Sequence, residues 1–177
     1  MKKTVCAMMA ILGTASIADA KTLVAYYSRT GNTAALANMI QAATDADIFE
    51  IKTADANYYP ADYNEMTAIA KQEIADNKLV PINEIPDLSQ YDTIFIGSPI
   101  WWGTMATPVR TFLSQADLTD KTVASFITHG GGGAGTSHDD IAKITPNSRH
   151  VVGMSAYGDT ATAQDVSDWV KNLGETE

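Results

Sequence analysis

Cysteine is almost absent from this sequence. The one cysteine among the 177 residues is Cys6, which lies inside an apolar stretch from Val5 to Ile17. From Lys21 onward the chain has no thiol, which excludes disulfides, thiolate metal sites and a cysteine nucleophile from that part. The lack of thiols also suits an oxidising compartment.

Positive charge is scarce as well. The chain has 12 Lys and Arg residues against 21 Asp and Glu residues, which gives a formal net charge of −9. Without residues 1–20, which hold two Lys and one Asp, the charge moves from −9 to −10. An acidic surface argues against nucleic acid and anionic membranes as partners, and it permits a basic protein partner. The apolar stretch near the N-terminus is too short to span a bilayer, so we expect no membrane insertion.

The first 20 residues have the three parts of a secretory signal peptide in the usual order. Lys2 and Lys3 form a basic start, the apolar stretch follows, and Ala18-Asp19-Ala20 resembles an A-x-A cleavage site. We therefore predict a signal peptide over residues 1–20, cut after Ala20, and a periplasmic or secreted domain over residues 21–177. The alternative is an N-terminal helix that packs on the domain.

Strand and helix patterns alternate through the rest of the chain. The predicted strands are Leu23–Tyr27, Asp47–Lys52, Asp92–Ser98, Lys121–Thr128 and His150–Ser155. Helices are predicted after Thr33, over Glu65–Asn77, from Thr107-Pro108 with Thr107 as N-cap, and around Trp169. This alternation predicts an α/β domain with a doubly wound, five-stranded parallel sheet covered by helices on both faces. In that architecture ligands bind beyond the carboxyl ends of the strands.

The first loop at such an end is rich in hydroxyl groups. It consists of Ser28, Arg29, Thr30, Gly31, Asn32 and Thr33, and a helix follows it. The loop has no Lys for a Walker motif and only one Gly, so neither a nucleoside-triphosphate loop nor a dinucleotide fingerprint fits. A helix N-terminus with neutral donors suits a terminal monophosphate. The alternative is an ordinary turn capped by a hydroxyl side chain.

The second loop carries two adjacent indoles. It consists of Ser98, Pro99, Ile100, Trp101, Trp102 and Gly103. A planar aromatic ligand would cover exposed indole surface, and Gly103 could adopt a positive φ beside it. The alternative is that the indoles pack on the domain. We expect Trp101 or Trp102, and not Trp169, to stack on the ligand.

The third loop offers backbone groups almost alone. It contains His129, Gly130, Gly131, Gly132 and Gly133. An HGGG run also forms the oxyanion hole of many esterases, and residues 153–157 (GMSAY) approach a nucleophile elbow. The fifth elbow residue is Tyr157 instead of Gly, and no His follows His150. Both features argue against an esterase.

Together the three loops resemble those of the flavodoxin family, from Lys21 nearly to the end of the chain. Residues 27–33 (YSRTGNT) match the family's phosphate loop, and residues 97–103 (GSPIWWG) match the second loop of a short-chain, flavodoxin-like subgroup. The glycine-rich third loop and the Trp169 helix match that subgroup too. The resemblance implies a 2-1-3-4-5 strand order, bound FMN held by the three loops, and electron transfer. It also implies that Arg29 points outward.

One departure from the family bears on function. Many flavodoxins have a tyrosine in the third loop that covers the outer flavin face, and this loop has none. One interpretation is an electron carrier that docks on redox protein partners through an acidic rim, and the signal peptide favours it. The alternative is an FMN-dependent NAD(P)H:acceptor oxidoreductase of the quinone type, which an open flavin face favours. A third possibility is a flavin-binding module without a redox role. We assign no catalytic residue and no metal ligand.

Overall fold

Strands and helices alternate along residues 21–173, the part of the chain that the computed structural model describes. In this part the strands are β1 Lys21–Tyr26, β2 Asp47–Glu50, β3 Tyr91–Trp101, β4 Thr104–Met105, β5 Thr122–His129 and β6 Arg149–Tyr157. The helices are α1 Asn32–Thr44, α2 Tyr63–Ala75, α3 Thr107–Gln115, α4 Ser137–Ile144 and α5 Ala163–Asn172. The predicted signal peptide and its cleavage after Ala20 lie outside the described residues.

The strands form one sheet in the order β2-β1-β3-β5-β6, and all four of these pairings are parallel. The predicted doubly wound parallel sheet and its order are confirmed. The prediction of five strands was incomplete, because the short β4 turns back and pairs antiparallel with the end of β3. The chain winds outward from β1 to β2 and then returns to β3, so the winding direction reverses between β1 and β3. This reversal is where the fold leaves room for a ligand.

Alternate residues of the inner strands enter two separate cores. In β1, Leu23 packs on the side of α2, α3 and α4, whereas Val24 packs on the side of α1 and α5. Both side chains are fully buried, as period-2 alternation between two covered faces requires. Phe112 and Phe126, the largest fully buried side chains of the described residues, lie on opposite sides of the sheet. The sheet is therefore held from both faces, and its carboxyl edge is a rigid base for loops.

Two local predictions were wrong, and one helix was missed. β3 runs on to Trp101 instead of ending at Ser98, because β4 pairs with its last residues. The N-cap of α3 is Ala106, and Thr107 is the first helical residue. The helix α4, Ser137–Ile144, was not among the predicted helices. This helix has eight residues and buries only one large apolar side chain fully, Ile141, so it has almost no apolar stripe to detect.

Two absences hold for residues 21–173. No helix there is long and apolar enough to cross a membrane. The same residues place no three His, Cys, Asp or Glu side chains where they could hold a metal ion together.

Candidate functional site

Residues from all three predicted loops meet around one cavity of about 690 Å³ at the carboxyl edge of the sheet. From the first loop it is lined by Arg29, Thr30 and Asn32, from the second by residues 99–102, and from the third by His129 and Gly130. Ser28, Gly31, Thr33, Ser98, Gly103 and residues 131–133 do not line it. The cavity lies beside the reversal of winding between β1 and β3, where this fold binds ligands.

The first loop leads directly into α1. Gly31, with φ 94°, is the N-cap, and it supplies no side-chain acceptor. The first amides of the helix are therefore left for an acceptor from outside the helix. Ser28 Oγ accepts a hydrogen bond from the Ala34 amide at 3.2 Å, which fixes the loop on the helix. Together with the exposed Thr30 hydroxyl, this helix end is arranged for an anion.

Two residues of the first loop use their polar side-chain groups for hydrogen bonds within the protein. Thr33 is buried, and its hydroxyl lies 2.7 Å from the hydroxyl of Thr128 on β5. The Arg29 guanidinium donates to the carbonyl oxygens of Pro60 and Ala61 at 3.0 and 3.2 Å. Arg29 therefore ties the loop to the segment before α2, and its charge stays at the cavity rim.

The two indoles of the second loop have different surroundings. Trp101 is 8% exposed and lies edge-on to Tyr27 and Tyr59, with ring centroids 5.5 and 5.1 Å apart. The Tyr59 hydroxyl donates to buried Glu73 at 2.8 Å. Burial raises the pKa of Tyr27 to about 12, so its hydroxyl stays neutral. Trp101 is thus a core residue with one edge on the cavity.

Trp102 is 55% exposed. Its Nε1 donates to the Thr67 carbonyl of α2 at 2.8 Å, and Lys71 Nζ lies 4.8 Å from the ring centroid. The indole is therefore held against α2 while much of its surface stays open. Of the two candidates, Trp102 has the accessible ring that a planar ligand needs. Trp169, in contrast, packs on Phe95 and donates to the Val152 carbonyl at 2.8 Å, away from the cavity.

Trp102 and Gly103 form the two-residue turn between β3 and β4. Their φ angles are 49° and 85°, the combination that marks a type I′ hairpin turn. Gly103 adopts this region freely, as its sequence position indicated. A bulky residue at positive φ is strained, so other contacts must hold Trp102 there.

The cavity has a tyrosine that the sequence analysis missed. Tyr157, at the end of β6, is 55% exposed, and its ring centroid lies 6.1 Å from that of His129. The expectation of an uncovered flavin face rested on the lack of tyrosine in the third loop, and β6 supplies one beside that loop. The carboxyl end of the last parallel strand was the feature that could have indicated it.

Other lining residues also carried no sequence motif. α2 contributes Tyr63, Met66, Thr67 and Ala70, and Thr128 and Gly158 complete the wall. No carboxylate is among the described lining residues, although the chain as a whole is strongly acidic. The charged groups at the rim are Arg29 and, beside Trp102, Lys71. The site is thus neutral to basic.

Fold and site together define a doubly wound α/β protein whose cavity at the switch point suits a planar anionic ligand. The model of the flavodoxin family matches residues 21–173. The chain belongs to the flavodoxin family, and the resemblance drawn from the three loops is confirmed.

Solved structures and curated sequences of known proteins are similar to this chain. A flavoprotein from Lactobacillus acidophilus NCFM, solved in complex with FMN, is 30% identical with a TM-score of 0.71 over 85% of this chain and 99% of its own. A Bacteroides eggerthii protein is 30% identical with a TM-score of 0.78 over 88% of this chain and 99% of its own. An NAD(P)H dehydrogenase (quinone) from Nitrobacter winogradskyi is 35% identical over 97 residues, 55% of this chain and 47% of the relative. The chain thus spans about half the length of that curated relative.

Proposed function

We propose that this protein is an FMN-dependent electron carrier that passes electrons between redox protein partners. The observation that carries the redox assignment is the convergence of three loops, each from the carboxyl end of a parallel strand, on one cavity. The finer assignment as a carrier rests on the extent of the fold. The chain covers 99% of the length of the FMN-bound flavoprotein but only part of the longer dehydrogenases.

FMN is the cofactor that the family and the Lactobacillus complex support, as the resemblance predicted. The residues present fit its two ends. The start of α1, where Gly31 supplies no side-chain acceptor, suits the phosphate together with Thr30 and Asn32, and the open ring of Trp102 suits the isoalloxazine. When bound, FMN supplies the electron-accepting chemistry. The chain would bind and orient it, with the rings of Tyr157 and His129 beside it at the third loop.

The second candidate is an NAD(P)H:acceptor oxidoreductase of the quinone type. Two observations favour it. Several curated relatives carry the name NAD(P)H dehydrogenase (quinone), including one from Cupriavidus metallidurans that is 29% identical over 76% of this chain and 70% of its own length. The rim also has Arg29 and Lys71 in place of the acidic groups expected for docking on a basic partner.

Reductive titration of the FMN-loaded protein separates the two candidates. A carrier should take up electrons in two separate one-electron steps in an anaerobic coulometric titration, and NADH or NADPH should not bleach it. An oxidoreductase should show a single two-electron step and rapid bleaching by NADH or NADPH. The second result would replace the carrier assignment, and failure to retain FMN on gel filtration would overturn both.

A further inference from the structure

One carboxylate joins the second and third loops. Asp140, on α4, accepts a hydrogen bond from the Thr104 hydroxyl at 2.8 Å and from the Thr136 hydroxyl at 2.5 Å, both at Oδ2. Its Oδ1 accepts from Lys143 Nζ at 3.0 Å. Thr104 is the residue that follows the Trp102-Gly103 turn, and Thr136 closes the glycine-rich loop.

A backbone hydrogen bond also joins the third loop to the Trp102-Gly103 turn. The Thr136 amide donates to the Gly103 carbonyl oxygen at 2.8 Å. The Thr136 hydroxyl has one proton and lies 3.2 Å from that carbonyl, so the shorter distance to Asp140 places the proton on the carboxylate bond. Gly135 packs so closely on the Gly103 carbonyl that a Cβ at position 135 would overlap its oxygen.

We infer that Asp140 is a positioning residue for the flavin site, because its hydrogen bonds to Thr104 and Thr136 hold the strained Trp102-Gly103 turn and so fix the indole of Trp102 over the cavity. This inference rests on the proposed function. The turn needs such support because Trp102 stands at φ 49°, which costs free energy unless neighbouring contacts enforce it. Charge-assisted hydrogen bonds from two sides supply that enforcement.

The Asp140→Asn variant tests this role. The amide group of Asn cannot accept both hydroxyl protons as strongly as a carboxylate does. In the apoprotein, amide hydrogen exchange over residues 101–104 should accelerate at least tenfold, while exchange in β1 and β5 stays unchanged. Affinities for FMN and riboflavin should fall together by about tenfold, because the ring site and not the phosphate site is disturbed.

Asp139→Asn is the matched control. Asp139 lies on the same helix turn and loses the same charge, but its side chain makes no hydrogen bond or ion pair within the described residues. It should match the wild type in exchange and in flavin affinity. Should Asp140→Asn not fold, Thr104→Val removes one of the two hydroxyl bonds, and Thr104→Ser should restore wild-type exchange.

The outcomes separate the inference from the proposed function. If the wild-type protein binds no flavin, the proposed function fails, and the exchange comparison in the apoprotein still decides the role of Asp140. If flavin binds and Asp140→Asn matches Asp139→Asn in both measurements, the positioning role is overturned while the function stands. Faster exchange throughout the domain, with no excess at residues 101–104, would also overturn it.

Discussion

Trp101 and Trp102 are adjacent in the chain and differ in what their rings do. Trp101 is buried between tyrosine rings, and Trp102 is more than half exposed on the cavity side of α2. One ring therefore contributes to folding, and the other is available to a ligand. This division of roles follows from the hairpin, because β3 buries Trp101 before the chain turns at Trp102.

We predict opposite phenotypes for the two alanine variants. Trp102→Ala should weaken FMN about tenfold, since a stacking ring is lost, and leave the free energy of unfolding nearly unchanged. Trp101→Ala should lower that free energy by about 3–5 kcal/mol, as removal of a buried Trp does. Fluorescence titration and urea unfolding measure the two effects. Full FMN affinity in Trp102→Ala would remove the stacking role, and Trp102→Phe is the control that keeps an aromatic ring.

Substitutions at the two threonines of the first loop should also have different effects. Thr30→Ala removes an exposed hydroxyl at the helix end, and loss of a hydrogen bond to a charged phosphate should weaken FMN by roughly ten- to a hundredfold while riboflavin is unaffected. Thr33→Val leaves the buried Thr128 hydroxyl without its 2.7 Å partner, which should cost about 1–3 kcal/mol of unfolding free energy. Calorimetric titration and thermal unfolding distinguish them. Equal losses of FMN and riboflavin in Thr30→Ala would show that this loop does not hold the phosphate.

At the scale of elements, helices and strands with long apolar patterns could be predicted from the sequence, and the short elements could not. β1, β3 and α1 have continuous or periodic apolar residues, and the sequence indicated all three, although β3 runs on beyond its predicted end to Trp101. β4 has two residues and α4 has eight, so neither has enough residues for a pattern. Both are stabilised by elements that pair with them or cover them. Their own residues therefore do not indicate that they form.

The candidate site also has parts that the sequence could predict and parts that it could not. The three loops were predictable because polar, aromatic or glycine-rich residues directly follow buried strands. Tyr157 and the α2 wall were not, since their place depends on which elements the fold brings together. Nor could the sequence choose between Trp101 and Trp102. The hairpin turn determines which indole is exposed, and this turn depends on β4 and on contacts from α4.

The packing of α4 on the sheet should make stability depend on pH. His138 Nδ1 lies 2.6 Å from Ser125 Oγ and Nε2 lies 3.1 Å from Ser155 Oγ, in a space that exists because residue 153 is Gly. Burial lowers the pKa of His138 below its ordinary 6.5, and Asp139 offsets this only in part. As the pH falls below about 6.5, His138 is therefore protonated in the unfolded chain before it is protonated in the folded one. Protonation favours the unfolded chain, so the free energy of unfolding decreases as the pH falls.

Urea unfolding at pH 7.5 and pH 5.5 measures this effect. His138→Asn should show a smaller loss of unfolding free energy between the two pH values than the wild type. An unchanged pH dependence in His138→Asn would contradict the assignment.

At the scale of the whole molecule, the family match and the described fold both begin at Lys21. We predict that residues 1–20 are removed after Ala20 when the full chain is expressed in a Gram-negative host, because they have the three parts of a signal peptide. Mass spectrometry of the periplasmic fraction should find Lys21 as the N-terminal residue. An Ala20→Arg variant should stay uncleaved. Full-length protein confined to the cytoplasm would contradict export.

The indole of Trp169 has a consequence beyond packing. In residues 21–173, β6 ends the sheet, and an end strand with free carbonyl groups is a template on which a strand of another molecule can add. The Trp169 Nε1 already donates to the Val152 carbonyl at 2.8 Å. An incoming strand would have to break this bond and displace the indole before it could pair at that residue. Trp169 thus occupies one backbone carbonyl of this end strand, which an added strand could otherwise use.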